Sequence, residues 1–221
     1  YMDGQTLKEY LDNKGKLPDE EIKQLFTQML DAVGYVHEQG LIHRDIKPSN
    51  FMISGKGVVK LLDFGIAKNT DSSSAEYTMT GTAQNMGTPM YMSPEQVKST
   101  KDVTAQSDIY SLGVVLWQMV MGKKPYDSNT LSTFELHTKI VTESLILTNS
   151  QWDKIIQDST QKEISKRVKT YVSFKNEFLE TKNIEGGGSK KIFSENTIVE
   201  EVLVNERSSI TRPNENKNTS I

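Results

Sequence analysis

The chain has 221 residues, 35% of them hydrophobic and 25% charged, which supplies one core and too little length for two full domains. Its formal net charge of −3 offers no basic surface for nucleic acid and no polybasic membrane anchor. The lack of cysteine excludes disulfides and thiolate metal sites, and no apolar run reaches the roughly 18 to 20 residues of a membrane-spanning helix. The opening stretch YMDGQTLKEY also lacks the basic-then-apolar order of a signal peptide. The expectation is a soluble, cytoplasmic chain with no nucleic-acid partner and no membrane segment.

The first strong element lies in LPDEEIKQLFTQMLDAVGYVHEQG, residues 17–40. Ile22, Leu25, Phe26, Met29, Leu30, Val33 and Val36 fall on one face of a 3.6-residue period, so this helix packs on a core. Pro18 suits its first turn, Asp19, Glu20 and Glu21 favour the positive end of the macrodipole, and Gly40 suits the left-handed position after its end. Two short apolar runs follow, FMI and VVKLL, and the SGKG between them predicts a turn joining two strands. Residues 66–86 are polar and hydroxyl-rich with no apolar period, a long loop of the kind that carries function. SDIYSLGVVLWQMVMG is apolar almost throughout and predicts a helix buried on most sides, capped by Ser107 and ended by Gly122. Weaker helical patterns cover 133–141, 151–158 and 168–179. From Gly186 the GGGSKK stretch and the polar residues after it have no core to bury, and TIVEEVLV reads as a strand without an evident partner. The chain therefore divides into a domain over residues 1–180 and a flexible polar tail over 181–221.

A charged cluster, HRDIKPSN, sits directly after the first long helix. Asp45 and Asp63 lie at the ends of apolar segments, with Asn50 between them. Carboxylate and amide oxygens are the hard ligands that magnesium prefers, in ones and twos beside phosphate and water. A further carboxylate outside the metal shell can take a proton from an attacking hydroxyl, and Lys47 supplies the positive charge that a moving phosphoryl group needs. The spacing fits phosphoryl transfer.

On these residues the chain resembles the large C-terminal lobe of a eukaryotic-type protein kinase: His43-Arg44-Asp45 followed by Asn50, then Asp63-Phe64-Gly65. The resemblance covers residues 1–180 and implies a mainly α fold of the α+β family, a helical bundle with a short β-hairpin at the active site. It implies ATP and Mg2+ as cofactors and a protein substrate with a Ser/Thr acceptor. Asp45 then orients and deprotonates the substrate hydroxyl, Lys47 faces the γ-phosphate, and Asn50 and Asp63 hold magnesium. Met2 lies at the hinge edge of the adenine pocket, with Met52 and Leu62 as its floor. His43 and Phe64 belong to the apolar stack that aligns the site. GTPMYMSPE resembles the substrate-binding loop and its closing motif, with Ser93 in the place of the usual alanine. Glu95 is the expected ion-pair partner of Arg167, and Asp108 the brace of the catalytic loop. Thr88 beside the catalytic aspartate, together with Lys47, implies Ser/Thr specificity, and the wording around MGTPMYMSPEQ is similar to bacterial Ser/Thr kinases. Arg44 marks kinases whose loop is ordered by phosphorylation, here at Thr80 or Thr82 and less favourably at Thr78.

Other residues have simpler readings. His37 and His137 are assigned to helix packing or surface, and Met29, Met119 and Met121 to core filling. Ile164 stands where the family usually has proline, which is expected to loosen the turn before Arg167. Within the 221 residues there is no G-x-G-x-x-G loop, strand lysine or paired helix glutamate, so the small lobe is read as missing and the isolated chain as inactive. The alternatives are a kinase-derived binding scaffold and a small-molecule phosphotransferase, the latter disfavoured by Lys47, Thr88 and the Ser-Pro-Glu motif.

Overall fold

A computed structural model describes residues 3–62, 89–127 and 130–181. The expectations for Met2, Asp63, Phe64, Gly65, Thr78, Thr80, Thr82, Thr88 and the tail beyond residue 181 fall outside these residues. Strand β1 (Gly4–Thr6) leads into helix α1 (Leu7–Lys14). Thr6 caps α1, accepting from the Glu9 amide at 3.1 Å while Glu9 Oε2 accepts from the Thr6 amide at 2.8 Å, so two otherwise orphaned donors are satisfied reciprocally.

The long amphipathic stretch forms α2 (Asp19–Glu38), with acidic residues in its first turn and Gly40 at φ 72° just past its end. The hairpin follows as β2 (Phe51–Ser54) and β3 (Val59–Leu61), antiparallel and closed through Gly57 at φ 77°. β1 adds to the other edge of β2, with Thr6 opposite Met52. The sheet therefore has three strands in the order β1-β2-β3. Phe51 and Ile53 are buried, while Met52 points to the other, partly exposed side, as the period of two requires.

The remaining helices are α3 (Pro94–Lys98), α4 (Ala105–Met121), α5 (Thr133–Thr142), α6 (Asp153–Ser159) and α7 (Tyr171–Glu180). Two expectations are corrected. Ser107 does not cap α4; Thr104 does, accepting from the Gln106 amide at 3.3 Å, and Ser107 stands one turn in, its hydroxyl accepting from the Thr104 amide at 3.2 Å. Thr104 and Ser107 are both good capping residues three apart, and the turn uses them together. α7 begins at Tyr171 and not at residue 168, because Arg167 and Val168 lie before the helix, Arg167 in extended backbone, and Thr170 caps it by accepting from the Ser173 amide at 3.1 Å.

The core lies between α2, α4 and α7, where Phe26 meets Phe174 at 5.6 Å and Phe178 at 4.9 Å between ring centroids, and Trp152 stacks on Phe178 at 4.7 Å. α4 is buried at every position from Ser107 to Val120. It packs closely on α6 at Gly113, where a Cβ would overlap Ser159 Oγ and lie 2.8 Å from Thr160 Cγ2. Gly122 ends α4 in the left-handed conformation, φ 68° and ψ 16°, its amide donating to Gln118 O at 2.8 Å. The described residues are thus mainly α-helical, with one small antiparallel sheet beside the charged loop.

Candidate active site

The charged loop runs from the end of α2 to β2, and its shape is set by a buried aspartate on another helix. Asp108, in the first turn of α4, is 1% exposed. Its Oδ2 accepts the His43 amide at 2.9 Å and its Oδ1 the Arg44 amide at 2.8 Å. One carboxylate therefore holds two successive peptide groups through charge-assisted bonds. Arg44 needs such support: it sits at φ 68°, a left-handed conformation that costs a non-glycine residue about 1–2 kcal/mol. His37, in the last turn of α2, places Nε2 at 2.8 Å from Asp108 Oδ2 with both side chains buried. Sequence reasoning misses this role of His37, because its partner is 71 positions away and no local pattern marks the pairing.

His43 is fully buried. Its Nδ1 accepts from the Asp45 amide at 3.3 Å and its Nε2 lies 3.1 Å from the Leu62 carbonyl oxygen. These two contacts together require the tautomer protonated on Nε2. The ring thus ties the backbone of Asp45 to the end of the hairpin. A second tie is the Leu62 amide donating to Asn50 O at 2.7 Å, which brings the position before Asp63 against Asn50.

Asp45, Lys47 and Asn50 converge at the surface end of this loop. Lys47 Nζ donates to Asp45 Oδ2 at 2.6 Å, with the Asp45 side chain 54% exposed and that of Lys47 20%. Asn50 Nδ2 donates to the Asp45 carbonyl at 2.7 Å and to Asp45 Oδ2 at 3.1 Å. Pro48 starts the single 3-10 turn Pro48–Asn50 that makes this approach possible. The Asp45 carboxylate is thus anchored on one oxygen and open to solvent. Asn50, buried, uses its nitrogen for Asp45, which leaves Oδ1 as the atom it offers a cation, a hard oxygen of the kind magnesium takes. Met52 and Leu62, partly buried, flank the same region.

A second polar cluster lies on the adjoining turn of α4. Arg167, 2% exposed, donates from NH1 to Glu95 Oε1 at 2.7 Å and from NH2 to Glu95 Oε2 at 3.0 Å. It also donates to the carbonyls of Gln106 at 2.8 Å and Gln161 at 2.9 Å. Ser107 Oγ adds a bond to Glu95 Oε1 at 2.7 Å. Burial alone would raise the Glu95 pKa, but the bonds from Arg167 and Ser107 outweigh it and hold the carboxyl below its usual range. Tyr110 carries Arg167 at 5.0 Å and Lys162 at 5.1 Å from its ring centroid. Burial, reinforced by Arg167, pushes Lys162 down to about 8. The turn before Arg167 forms without proline: Ile164–Lys166 is one 3-10 turn, and Gln106 Nε2 donates to the Ile164 carbonyl at 3.0 Å. Ser107 and Asp108 are consecutive, so α4 braces the charged loop with one residue and the Glu95–Arg167 pair with its neighbour.

Among the expected site residues, the structure brings His43, Arg44, Asp45, Lys47, Asn50 and Asp108 into one cluster, and Glu95 with Arg167 into the second. Among the described residues no group of three or more carboxylate, histidine or cysteine side chains could hold a metal; Asp63, the other expected ligand, is outside them. No helix among the described residues is long and apolar enough to cross a membrane.

A family model described as protein kinase domain matches residues 1–201. The chain is 38% identical over 184 residues to a probable serine/threonine-protein kinase PknB of Bifidobacterium longum, covering 81% of this chain and 26% of that protein. It is 34% identical over 170 residues to a probable PknB of Lactococcus lactis, covering 76% and 26%. To the serine/threonine-protein kinase PrkC of Bacillus subtilis it is 35% identical over 167 residues, covering 75% and 24%. The chain spans about a quarter of the length of these relatives.

Proposed function

Since this chain belongs to the protein kinase domain family and is similar to bacterial Ser/Thr kinases, we propose that it carries the phosphoryl-transfer half of an ATP-dependent kinase acting on Ser/Thr hydroxyls of proteins. The observation that carries this reading is the Asp45 carboxylate, open to solvent at the end of a backbone that Asp108, His43 and Asn50 hold in place. ATP with magnesium supplies the phosphoryl group and neutralises its charge when bound. Asn50, together with Asp63, is the residue suited to hold that magnesium.

The substrate hydroxyl donates its hydrogen to the Asp45 carboxylate. As its oxygen bonds to the γ-phosphorus, the bond from that phosphorus to the β-phosphate oxygen would break, ADP would leave, and the proton would stay on Asp45 until released to solvent. Lys47, already beside Asp45 Oδ2, keeps that carboxylate oriented and faces the negative charge of the transferring group. Because such transfer rests on positioning and electrostatics, the loop's clamps matter as much as its acid. Met52 and Leu62 are assigned to the floor of the adenine site and Met2 to its hinge edge, with Phe64 in the apolar stack that aligns the site, Gly65 a structural residue beside it and Thr88 next to Asp45.

No G-x-G-x-x-G sequence occurs in the 221 residues to cover the nucleotide. Taken alone they are expected to bind ATP weakly and to transfer no measurable phosphate. We assign residues 1–180 to the kinase unit and 181–221 to a polar tail. The experiment is phosphate transfer to a protein substrate by the full gene product, with a fusion supplying a glycine-rich lobe if the gene encodes none, comparing the parent with Asp45→Asn and Asn50→Ala. Both variants are expected to lose transfer by orders of magnitude while remaining folded. Near-parental rates in either would contradict the roles of these two residues.

A further inference from the structure

Gln96 sits on α3, directly after the Ser93-Pro94-Glu95 motif, and its two amide atoms face different parts of the molecule. Oε1 accepts from the Ser93 amide at 3.0 Å, closing the N-terminal turn of its own helix. Nε2 donates to the Arg44 carbonyl at 2.8 Å, a contact 52 positions away in the chain. The amide orientation follows from chemistry: a backbone N–H requires the oxygen and a backbone carbonyl requires the nitrogen.

The peptide that joins Arg44 to Asp45 is therefore held at both ends, its oxygen by Gln96 and its nitrogen by His43 Nδ1 at 3.3 Å. The preceding peptide nitrogen is held by Asp108 at 2.8 Å. Asp108 belongs to α4, on which the loop lies, and His43 to the loop itself; Gln96 belongs to the helix that closes the substrate-binding segment. It is the one of the three clamps that moves if that segment moves. Rotation of the Arg44–Asp45 peptide would swing the Asp45 side chain, and Arg44 at φ 68° relaxes toward an ordinary conformation once its carbonyl is released.

We propose that Gln96 is a positioning residue that couples the seating of α3 to the orientation of Asp45, so that the proton acceptor is aligned only when the substrate-binding segment is docked. This rests on the reading of Asp45 as the base. The coupling runs through a single hydrogen bond between a side chain of the substrate segment and a backbone carbonyl of the catalytic loop.

Gln96→Glu separates the two arms, because the variant's carboxylate still accepts from the Ser93 amide but cannot donate to the Arg44 carbonyl. Gln96→Met, of similar length and with no donor or charge, controls for repulsion. Hydrogen exchange measured on the 221-residue chain is expected to show several-fold faster exchange over residues 41–47 in Gln96→Glu, with 105–121 unchanged. In the full gene product both variants should lower kcat about tenfold with KM for ATP unchanged, a modest share of what displacement of a reacting group costs. Unchanged exchange over 41–47, or acceleration spread evenly over the chain, overturns the coupling, as does a kcat equal to the parent's. If Asp45→Asn retains the parental rate, the base assignment fails instead, and the exchange result still decides whether Gln96 holds the loop.

Discussion

His37 and Asp108, from the last turn of α2 and the first turn of α4, meet at 2.8 Å in the interior, and the same aspartate holds the amides of His43 and Arg44. The histidine thereby orients the group that orients the charged loop. Its replacement by phenylalanine keeps the ring volume and leaves Asp108 without that partner. The expected loss is about 1–3 kcal/mol of unfolding free energy, the usual penalty of an unsatisfied buried polar group. Asp108→Ala releases two backbone donors as well and should cost more than His37→Phe. Denaturant unfolding of the two variants checks the order; equal stability to the parent in both would contradict it.

The Glu95–Arg167 pair is expected to behave as a buried, two-pronged ion pair. Arg167→Met leaves the Glu95 carboxylate in the interior without its cation, a change that costs about 3–5 kcal/mol. The pH dependence follows from the lowered Glu95 pKa. Its contribution is fully present above the ordinary carboxylate value, where the unfolded chain is also ionised, and is lost as pH falls from there through the folded value. Thermal stability of the parent between pH 7 and pH 3 should therefore fall more steeply than that of Glu95→Gln, and parallel profiles would show that the pair carries no such dependence.

Gly113 tests the packing that places Ser107 and Asp108. A methyl group there meets Ser159 at the end of α6 and Thr160 just past it, so Gly113→Ala is expected to destabilise by about 1–3 kcal/mol despite the better helix propensity of alanine. Calorimetry reads the result directly. A stabilised variant would mean that α4 and α6 separate at little cost.

Arg44 carries a prediction about a segment beyond the described residues. The active protein is expected to be phosphorylated at Thr80 or Thr82, less favourably at Thr78, since a phosphate there offers acceptor oxygens and charge to a guanidinium beside Asp45. Mass spectrometry of active protein showing residues 66–86 unmodified would rule this out.

The legible parts of the molecule are those with a repeating local signal. The apolar stripe from Ile22 to Val36 announces α2, the continuous apolar run announces α4, and paired apolar runs around SGKG announce β2 and β3. β1 has no such signal, because Gly-Gln-Thr has no alternation and becomes a strand only by pairing with β2. Ser107 misleads as a cap because either of two hydroxyl residues suits a helix start, and only its contact with Glu95 decides which of them faces inward. In the site, the charged loop is readable as a motif, and its brace Asp108 and the separate Glu95–Arg167 pair through the family resemblance. His37 and Gln96 are not, since each acts through one contact with a residue more than fifty positions away.

The proposed function turns on Asp45 taking the proton of a Ser/Thr hydroxyl. The most direct test is single-turnover phosphate transfer by the full gene product, or by a fusion that supplies a glycine-rich lobe, comparing the parent with Asp45→Asn at saturating ATP. Transfer is predicted to slow at least roughly 100-fold, in the range by which general-base catalysis contributes, with ATP affinity little changed and the fold intact. A variant that transfers phosphate at the parental rate would contradict the assignment of Asp45 as the base.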